Sequence, residues 1–426
     1  MKSSTDEALK LILKFFKPFF FISFRKSFRG FFMKLSDVKT ISVIGAGTMG
    51  HEIAQVCLMA EYPNVILNDV KEDVLTKARH KIESGLKKLE QKKKLSPGQT
   101  AENLMQHLET MLDFKAAVEG ADFIIEAVPE VMTLKKEVFA QLGSQSPPHA
   151  ILATNTSTMP ITEIAKSSNR REKVVGMHFF TPIVVLRLIE VIKGQHTSEE
   201  TMRITTELGQ SLPALKGKKY IARIEKETPG SIVNRLTGAS SAYINWLVDV
   251  AEEKGIPFEH IDADVADFGL GPCAKWDYLG LDTIYNALSY LADTLSKDFA
   301  PGNALTTLVE EEKLGKKTGQ GFCSWTEDGQ LKSNTDEKAG LFDMELFMAL
   351  QLNEGCRLLE DGVVSGYKVI DDTMLACMDM PGPFGAGKRN YERWSDLLNQ
   401  FAEDSGKEYF RPCELMKSGK FRKMRR

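Results

Sequence analysis

The sequence predicts an α/β chain: a doubly wound parallel sheet followed by two all-α domains related by duplication. Three observations carry this. Apolar strand-like runs alternate with helical stretches up to about residue 226. A glycine-rich turn joins the first strand to the first helix. Beyond Glu227 the patterning is helical, and one segment pattern occurs twice.

The 426 residues are 42% hydrophobic and 27% charged, enough to pack several domains. Lys plus Arg number 55 against 58 Asp plus Glu, a formal charge of -3, which excludes a polyanion as the main partner. The six cysteines show no CxxC and no metal-ligand spacing, and the seven histidines are equally scattered. That pattern points to free thiols in a reducing, cytoplasmic setting and to no metal site.

Residues 1–36 differ from the rest. From Ala8 to Ser36 there is no acid, and Lys and Arg interleave with a Phe-rich run from Phe15 to Phe32. Lys17-Pro18 break the run, so it is neither a secretory core nor a spanning helix. Three readings remain: Met33 as the true start, a basic amphipathic segment lying on a membrane, or an organelle-targeting leader. The first is favoured, because an ordered domain begins immediately after Met33.

The nucleotide-binding half spans 37–226. Ile41, Val43 and Ile44 form a short apolar strand that runs into Gly45-Ala46-Gly47-Thr48-Met49-Gly50, and a helical stretch continues to Ala60. This is GxGxxG between a strand and a helix, the context a dinucleotide site requires. Gly45 allows the tight turn, Gly47 lets a pyrophosphate approach the backbone, and Gly50 lets the helix pack on the sheet. The helix N-terminus offers free N–H groups and partial positive charge to phosphates. Val65-Ile66-Leu67-Asn68 form the next strand, ending at Asp69. An acid there accepts from a ribose hydroxyl and repels a 2′-phosphate, favouring NAD; Lys71 nearby leaves NADP open. Lys71 to Lys94 reads as a long charged helix, and Phe123 to Val128 and Ile151 to Thr154 as further strands. Ligands sit beyond the carboxyl ends of such strands, so the chemistry is sought there.

Asn155-Thr156-Ser157-Thr158 follows one strand. Val174 to Phe180 is another, with His178 near its end, and Arg187 to Ile192 a third, with Glu190 among apolar residues. A buried carboxylate needs a partner, and His178 is the natural one. Alone, His178 reads as a satisfied core histidine. With Glu190, Ser157 and the glycine turn it reads as a general base whose imidazole the carboxylate orients.

Residues 40 to 325 resemble the (S)-3-hydroxyacyl-CoA dehydrogenases. The matching segments are VIGAGTMG at 43 to 50, ATNTST at 153 to 158, GMHFFTP at 176 to 182, LIEVI at 188 to 192, TPGSIVNRL at 228 to 236, GLDT at 280 to 283 and GKKTGQGF at 315 to 322. The resemblance implies Ser157, His178, Glu190 and Asn234 as catalytic residues. It implies that His178 takes the proton of the 3-hydroxyl while hydride passes to NAD, and that Ser157 and Asn234 bond the substrate oxygens. Glu130, Lys135, Thr181 and Lys317 are implied as further cofactor contacts, and Lys92 as a contact to the CoA phosphate. Gly85 replaces a CoA-contacting serine, and Thr181 an asparagine. Gly230-Ser231 and Cys273 also depart from the family and bear on the acyl pocket.

The first helical domain is expected at 227–326, a polar linker at 327–339, and the second helical domain at 340–426. Asn-led helices (245–256 and 353–364), an acidic helix and a Gly-Pro turn appear in each. The second copy lacks TPGxxVNRL and is read as structural. It would stand in for a partner subunit, which leaves a monomer or a homodimer. The basic tail from Lys417 is read as a solvated terminus. The functional expectation is thus an NAD-dependent dehydrogenase of acyl-CoA substrates. Two alternatives stand beside it: a dehydrogenase of a non-CoA hydroxy acid or carnitine, and a non-catalytic NAD-binding scaffold.

Overall fold

The computed structural model describes residues 33–332 and 336–425. Among the described residues there are ten strands: β1 (Thr40–Ile44), β2 (Asn64–Asn68), β3 (Leu108–Met111), β4 (Phe123–Glu126), β5 (Ile151–Thr154), β6 (Val174–Phe179), β7 (Leu188–Ile192), the short hairpin β8 (Pro213–Ala214) and β9 (Gly217–Lys218), and β10 (Tyr220–Ile224). Eight form one sheet in the order β10-β7-β6-β5-β4-β1-β2-β3. β1 lies between β2 and β4, so the chain reverses its winding there and opens a crevice above the carboxyl ends. The central strands are apolar on both faces because helices cover both; β4 and β5 are buried throughout.

The longer helices are α1 (Thr48–Met59), α2 (Glu72–Gln91), α3 (Met132–Gln145), α4 (Glu199–Ser211), α5 (Val233–Lys254), α6 (Phe258–Asp264), α7 (Pro272–Leu279), α8 (Leu281–Thr294), α9 (Asn303–Glu310), α10 (Met344–Glu360), α11 (Tyr367–Met378) and α12 (Phe384–Ser405). The first four flank the sheet. The rest build the helical half, with α10 packed along α5.

The duplication holds at the level of single hydrogen bonds. Asn245 of α5 donates to Ala300 O (3.1 Å) and accepts from Gly302 N (2.9 Å). Asn353 of α10 donates to Arg411 O (3.0 Å) and accepts from Cys413 N (2.8 Å). Asp262 of α6 accepts from Cys273 N, and Asp371 of α11 accepts from Phe384 N, each just after the Gly-Pro turn.

The structure sharpens the fold class, corrects two expectations and adds one packing contact. The sheet is not wholly parallel: β6 and β7 pair antiparallel, and β10 runs with β7. The N-terminal extension does not reach residue 36. Met33 is buried; its N–H donates to Glu200 Oε1 (2.9 Å) and its carbonyl accepts from Arg203 (2.6 Å), so the folded unit includes it. Residues 1–32 lie outside the described residues, as do 333–335 of the linker. The C-terminal tail is not simply solvated. Phe421 is fully buried against Phe384, and Met424 O accepts from Tyr367 N (2.9 Å), so the basic side chains ride on a packed turn. Finally, the second copy packs on the sheet as well as on the first copy: α11 covers the β10 edge, and Glu225 N donates to Val363 O (2.8 Å). An uncovered sheet edge would offer unpaired backbone groups, and this packing protects them.

Candidate active site

The glycine turn is shaped by three different constraints. Gly45 sits at φ +99°, and a Cβ there would lie 2.7 Å from Ala127 O. At Gly50 a Cβ would lie 1.7 Å from Gly45 O, so only glycine lets α1 start this close to β1. Gly47 faces open space, with nothing within 4 Å of a built Cβ. No side chain caps α1 at Gly47, so the first-turn N–H groups of Thr48, Met49 and Gly50 are available to a phosphate. Asp69 follows β2 directly, beside this turn. Its Oδ2 accepts from Ala46 N (2.9 Å) and its Oδ1 from Lys71 N (3.1 Å). A pyrophosphate over Gly47 and a ribose at Asp69 therefore fit the residues present, as NAD requires.

The chemistry lies three strands away in the sheet. In the antiparallel β6–β7 pair, His178 and Glu190 are direct cross-strand partners, which puts both side chains on one face. His178 Nδ1 lies 2.8 Å from Glu190 Oε2, and His178 Nε2 lies 3.0 Å from Ser157 Oγ. His178 and Glu190 are buried and Ser157 is exposed, so the line runs from the core to the crevice. The carboxylate only accepts, so the proton sits on Nδ1 and Nε2 keeps a lone pair. Glu190 Oε1 is not idle: it accepts from Ile232 N (3.1 Å) and Val233 N (3.2 Å), the start of α5. The first amides of α5 thus anchor the Glu190 carboxyl group in place. Asn234 is the next residue, half-buried in the first turn of α5.

The loop that carries Ser157 is clamped by Glu130. Its Oε1 accepts from Ser157 N (3.0 Å), Thr158 N (3.3 Å), Thr158 Oγ1 (3.1 Å) and Thr156 Oγ1. Burial works to raise this carboxyl, but Lys135 and the hydroxyl donors outweigh it and hold it below the usual range. Lys135, expected as a cofactor contact, has no exposed surface. Its ammonium lies 2.7 Å from Glu126 and 3.2 Å from Glu130, so it braces the clamp instead. Thr154 Oγ1 donates to the other oxygen of Glu126 (2.6 Å).

A Ser–His–Glu line also activates serine nucleophiles in acyl hydrolases. Here the amides at and after the serine, which would polarise a carbonyl, both donate to Glu130. The arrangement favours proton transfer over acyl transfer.

Thr181 is exposed and its hydroxyl faces Glu52 of α1 (3.3 Å); Glu52 also accepts from Ile183 N (2.5 Å), tying the loop after β6 to the glycine-turn helix. Lys219 underlies the same loop, donating to Ile183 O (2.6 Å) and Leu186 O (2.7 Å). Lys92 caps the C-terminus of α2 and is exposed, and Lys317 pairs with Asp282 (2.5 Å) on the first helical domain. At Gly85 a Cβ would lie 2.7 Å from Gln55 Oε1, so the absence of a serine is matched by a glutamine on α1. The sequence reading missed Glu52, Glu126, Asn155 and Lys219. Asn155 Oδ1 accepts from Phe179 N (2.9 Å) and sets the end of β6. Only Glu126 gave a signal, an acid closing an apolar strand.

Together, a dinucleotide turn and a buried carboxylate–imidazole pair facing one crevice define a nucleotide-dependent dehydrogenase. The matches to known proteins narrow this. Residues 40–222 match the family model described as 3-hydroxyacyl-CoA dehydrogenase, NAD binding domain, and 230–325 that of the 3-hydroxyacyl-CoA dehydrogenase C-terminal domain. The chain is 35% identical to a mitochondrial hydroxyacyl-coenzyme A dehydrogenase of Rattus norvegicus over 297 residues, covering 68% of this chain and 91% of that one. It is 30% identical to a fatty acid oxidation complex subunit alpha of Vibrio vulnificus, covering 99% of this chain and 60% of the relative. A solved 3-hydroxybutyryl-CoA dehydrogenase of Escherichia coli superposes with a TM-score of 0.78 at 26% identity, over 89% of this chain and 98% of that one. The chain belongs to the 3-hydroxyacyl-CoA dehydrogenase family.

Proposed function

We propose that this protein oxidises an (S)-3-hydroxyacyl-CoA to the 3-oxoacyl-CoA with NAD, or runs the reverse reduction. The observation that carries the reading is the line Ser157 Oγ–His178–Glu190 at the carboxyl edge of the sheet that bears the dinucleotide turn. His178 Nε2 takes the proton of the 3-hydroxyl, and the fixed Glu190 carboxylate stabilises the imidazolium that results. Ser157 donates to the substrate oxygen, and Asn234, in the first turn of α5, bonds the thioester carbonyl. Glu130 holds the Ser157 loop in place. Gly45 to Gly50 and Asp69 hold NAD, with Glu130 and Thr181 on the nicotinamide side, Lys317 and Lys92 as outer cofactor and CoA contacts, and Lys135 as a strut. When bound, the nicotinamide supplies the hydride acceptor.

The second copy packed on the first supports a monomer over a homodimer. Six buried free thiols support a cytoplasmic setting. The Gly85 departure keeps a non-CoA hydroxy acid or carnitine as a second reading. The test is consumption of NADH with acetoacetyl-CoA beside a non-CoA 3-oxo acid and 3-dehydrocarnitine. Turnover of the CoA thioester alone is expected. Turnover of only a non-CoA substrate selects the second reading, and NADH binding without turnover would leave a scaffold.

A further inference from the structure

The residue after Asn234 is Arg235, a guanidinium only 2% exposed at the start of α5. Nearly all that neutralises it comes from the second helical copy. Arg235 Nε donates to Glu354 Oε2 (2.5 Å) and Nη2 to Tyr409 Oη (3.1 Å), while Nη1 donates to Thr228 Oγ1 (3.0 Å). Tyr409 in turn donates to Glu354 Oε2 (3.1 Å). Glu354, on α10, is 1% exposed, and Arg357 approaches its other oxygen at 3.2 Å. The backbone N–H of Tyr409 returns to Asp298 of the first copy (2.7 Å), so both halves close around the guanidinium.

Burying such a pair is a poor way to gain stability, because desolvation offsets the attraction and apolar residues of similar volume do as well or better. Its best-attested use is to fix register. Register matters here: one turn of α5 supplies the two amides on Glu190, the side chain of Asn234 and the guanidinium of Arg235. A small slide of this turn would loosen the Glu190 contacts and move Asn234 together, and misplacement of about 1 Å can cost ~100-fold in rate.

We propose that Glu354 and Tyr409 are positioning residues for the reaction: through Arg235, the second helical copy holds the turn that anchors Glu190 and carries Asn234. This rests on the reading of His178, Glu190 and Asn234 as the reacting side chains. The second copy is therefore more than a cover for the first.

The test uses the full chain with two variants. Glu354→Leu/Arg235→Met removes both fully buried charges together; Arg357, which loses its carboxylate, keeps its bonds to Tyr409 O and Arg411 O and a quarter of its side-chain surface in water, so no buried ion is left bare. Tyr409→Phe removes one hydroxyl. Melting temperature, NADH dissociation constant, kcat and KM with acetoacetyl-CoA, and amide hydrogen exchange at Ile232 and Val233 are measured. The double variant should melt near the wild type and bind NADH within about twofold. Its kcat should fall about 3- to 30-fold, the range for groups acting without touching a ligand. Exchange at Ile232 and Val233 should speed up about tenfold or more while the sheet stays protected. Tyr409→Phe should move the same readouts in the same direction by less. A double variant that melts like the wild type with unchanged kcat and unchanged exchange at both amides overturns the proposal. If that variant unfolds, Tyr409→Phe decides by the same criteria. Wild-type protein without turnover would instead overturn the dehydrogenase reading, and the exchange data alone would then decide the clamp.

Discussion

Glu190→Gln is the sharpest perturbation of the proposed chemistry, because glutamine keeps the shape and removes only the charge. The native carboxylate serves two sites at once: Oε2 takes the Nδ1 proton of His178 at 2.8 Å, and Oε1 takes the amides of Ile232 and Val233 at 3.1 and 3.2 Å. Glutamine has one acceptor and one donor. If its oxygen stays on the two amides, its NH₂ faces Nδ1, and the imidazole must carry its proton on Nε2. The base then points a donor at the hydroxyl it should deprotonate. If the amide turns over, its NH₂ faces two N–H groups in a site with no exposed surface at Glu190. Losing the charge-assisted bond beneath the imidazolium costs about 1.5–3 kcal/mol, or roughly 10- to 150-fold in rate. The tautomer error removes the general base as well, a term of ~10²- to 10⁴-fold. The expected loss in kcat is therefore ~10³-fold. NADH affinity should barely change, since the glycine turn lies beyond β4 and β5. The assay is the initial rate of NADH consumption with acetoacetyl-CoA, with NADH binding followed by fluorescence. A variant that binds NADH and keeps more than about a tenth of wild-type kcat would refute the assignment of His178 as a base oriented by Glu190.

Three further outcomes are expected. Gly47→Ala should melt like the wild type, because nothing meets its Cβ, yet bind NADH at least about tenfold more weakly; Gly50→Ala, whose Cβ would lie 1.7 Å from Gly45 O, should destabilise the fold itself. Equal melting and equal NADH binding in both would remove the turn from the cofactor site. Asp371 is pushed up to about 6, first by burial and against the bond from Phe384 N. A raised carboxyl takes up a proton in the folded chain before the unfolded one, so its contribution is full below about pH 4 and lost as pH rises to about 6. Asp371→Asn should flatten the fall of unfolding free energy across that window, and an unchanged slope in urea titrations from pH 4 to 7 would contradict it. Removing residues 1–32 should leave melting temperature and specific activity unchanged, because Met33 already closes the core beside Glu200; a large loss in either would show that the Phe-rich segment packs on the domain.

Much of this protein is written locally. GAGTMG declares its function because a turn, a helix start and a close packing contact each need glycine within six residues, and Asp69 follows from the length of one βα unit. The second helical copy is equally legible, since each copy must spend the same Asn and Asp on the same turns. The His178–Glu190 partnership was inferable as a buried acid in search of a base. That they face each other follows only from the antiparallel turn between β6 and β7, a choice the apolar runs do not encode because either direction buries them equally well. Glu130 and Lys135 read as ligand contacts in the sequence. Packing made one a clamp on the Ser157 loop and the other its buried strut, because an ammonium with no exposed surface must be satisfied by the protein around it. The pairing of Arg235 with Glu354, 119 positions apart, was beyond any pattern. Hydrophobic period and turn chemistry act over a few residues, so they set which segments form. Which charged groups meet in the interior depends on how those segments stack, and that is settled only when water is excluded between them.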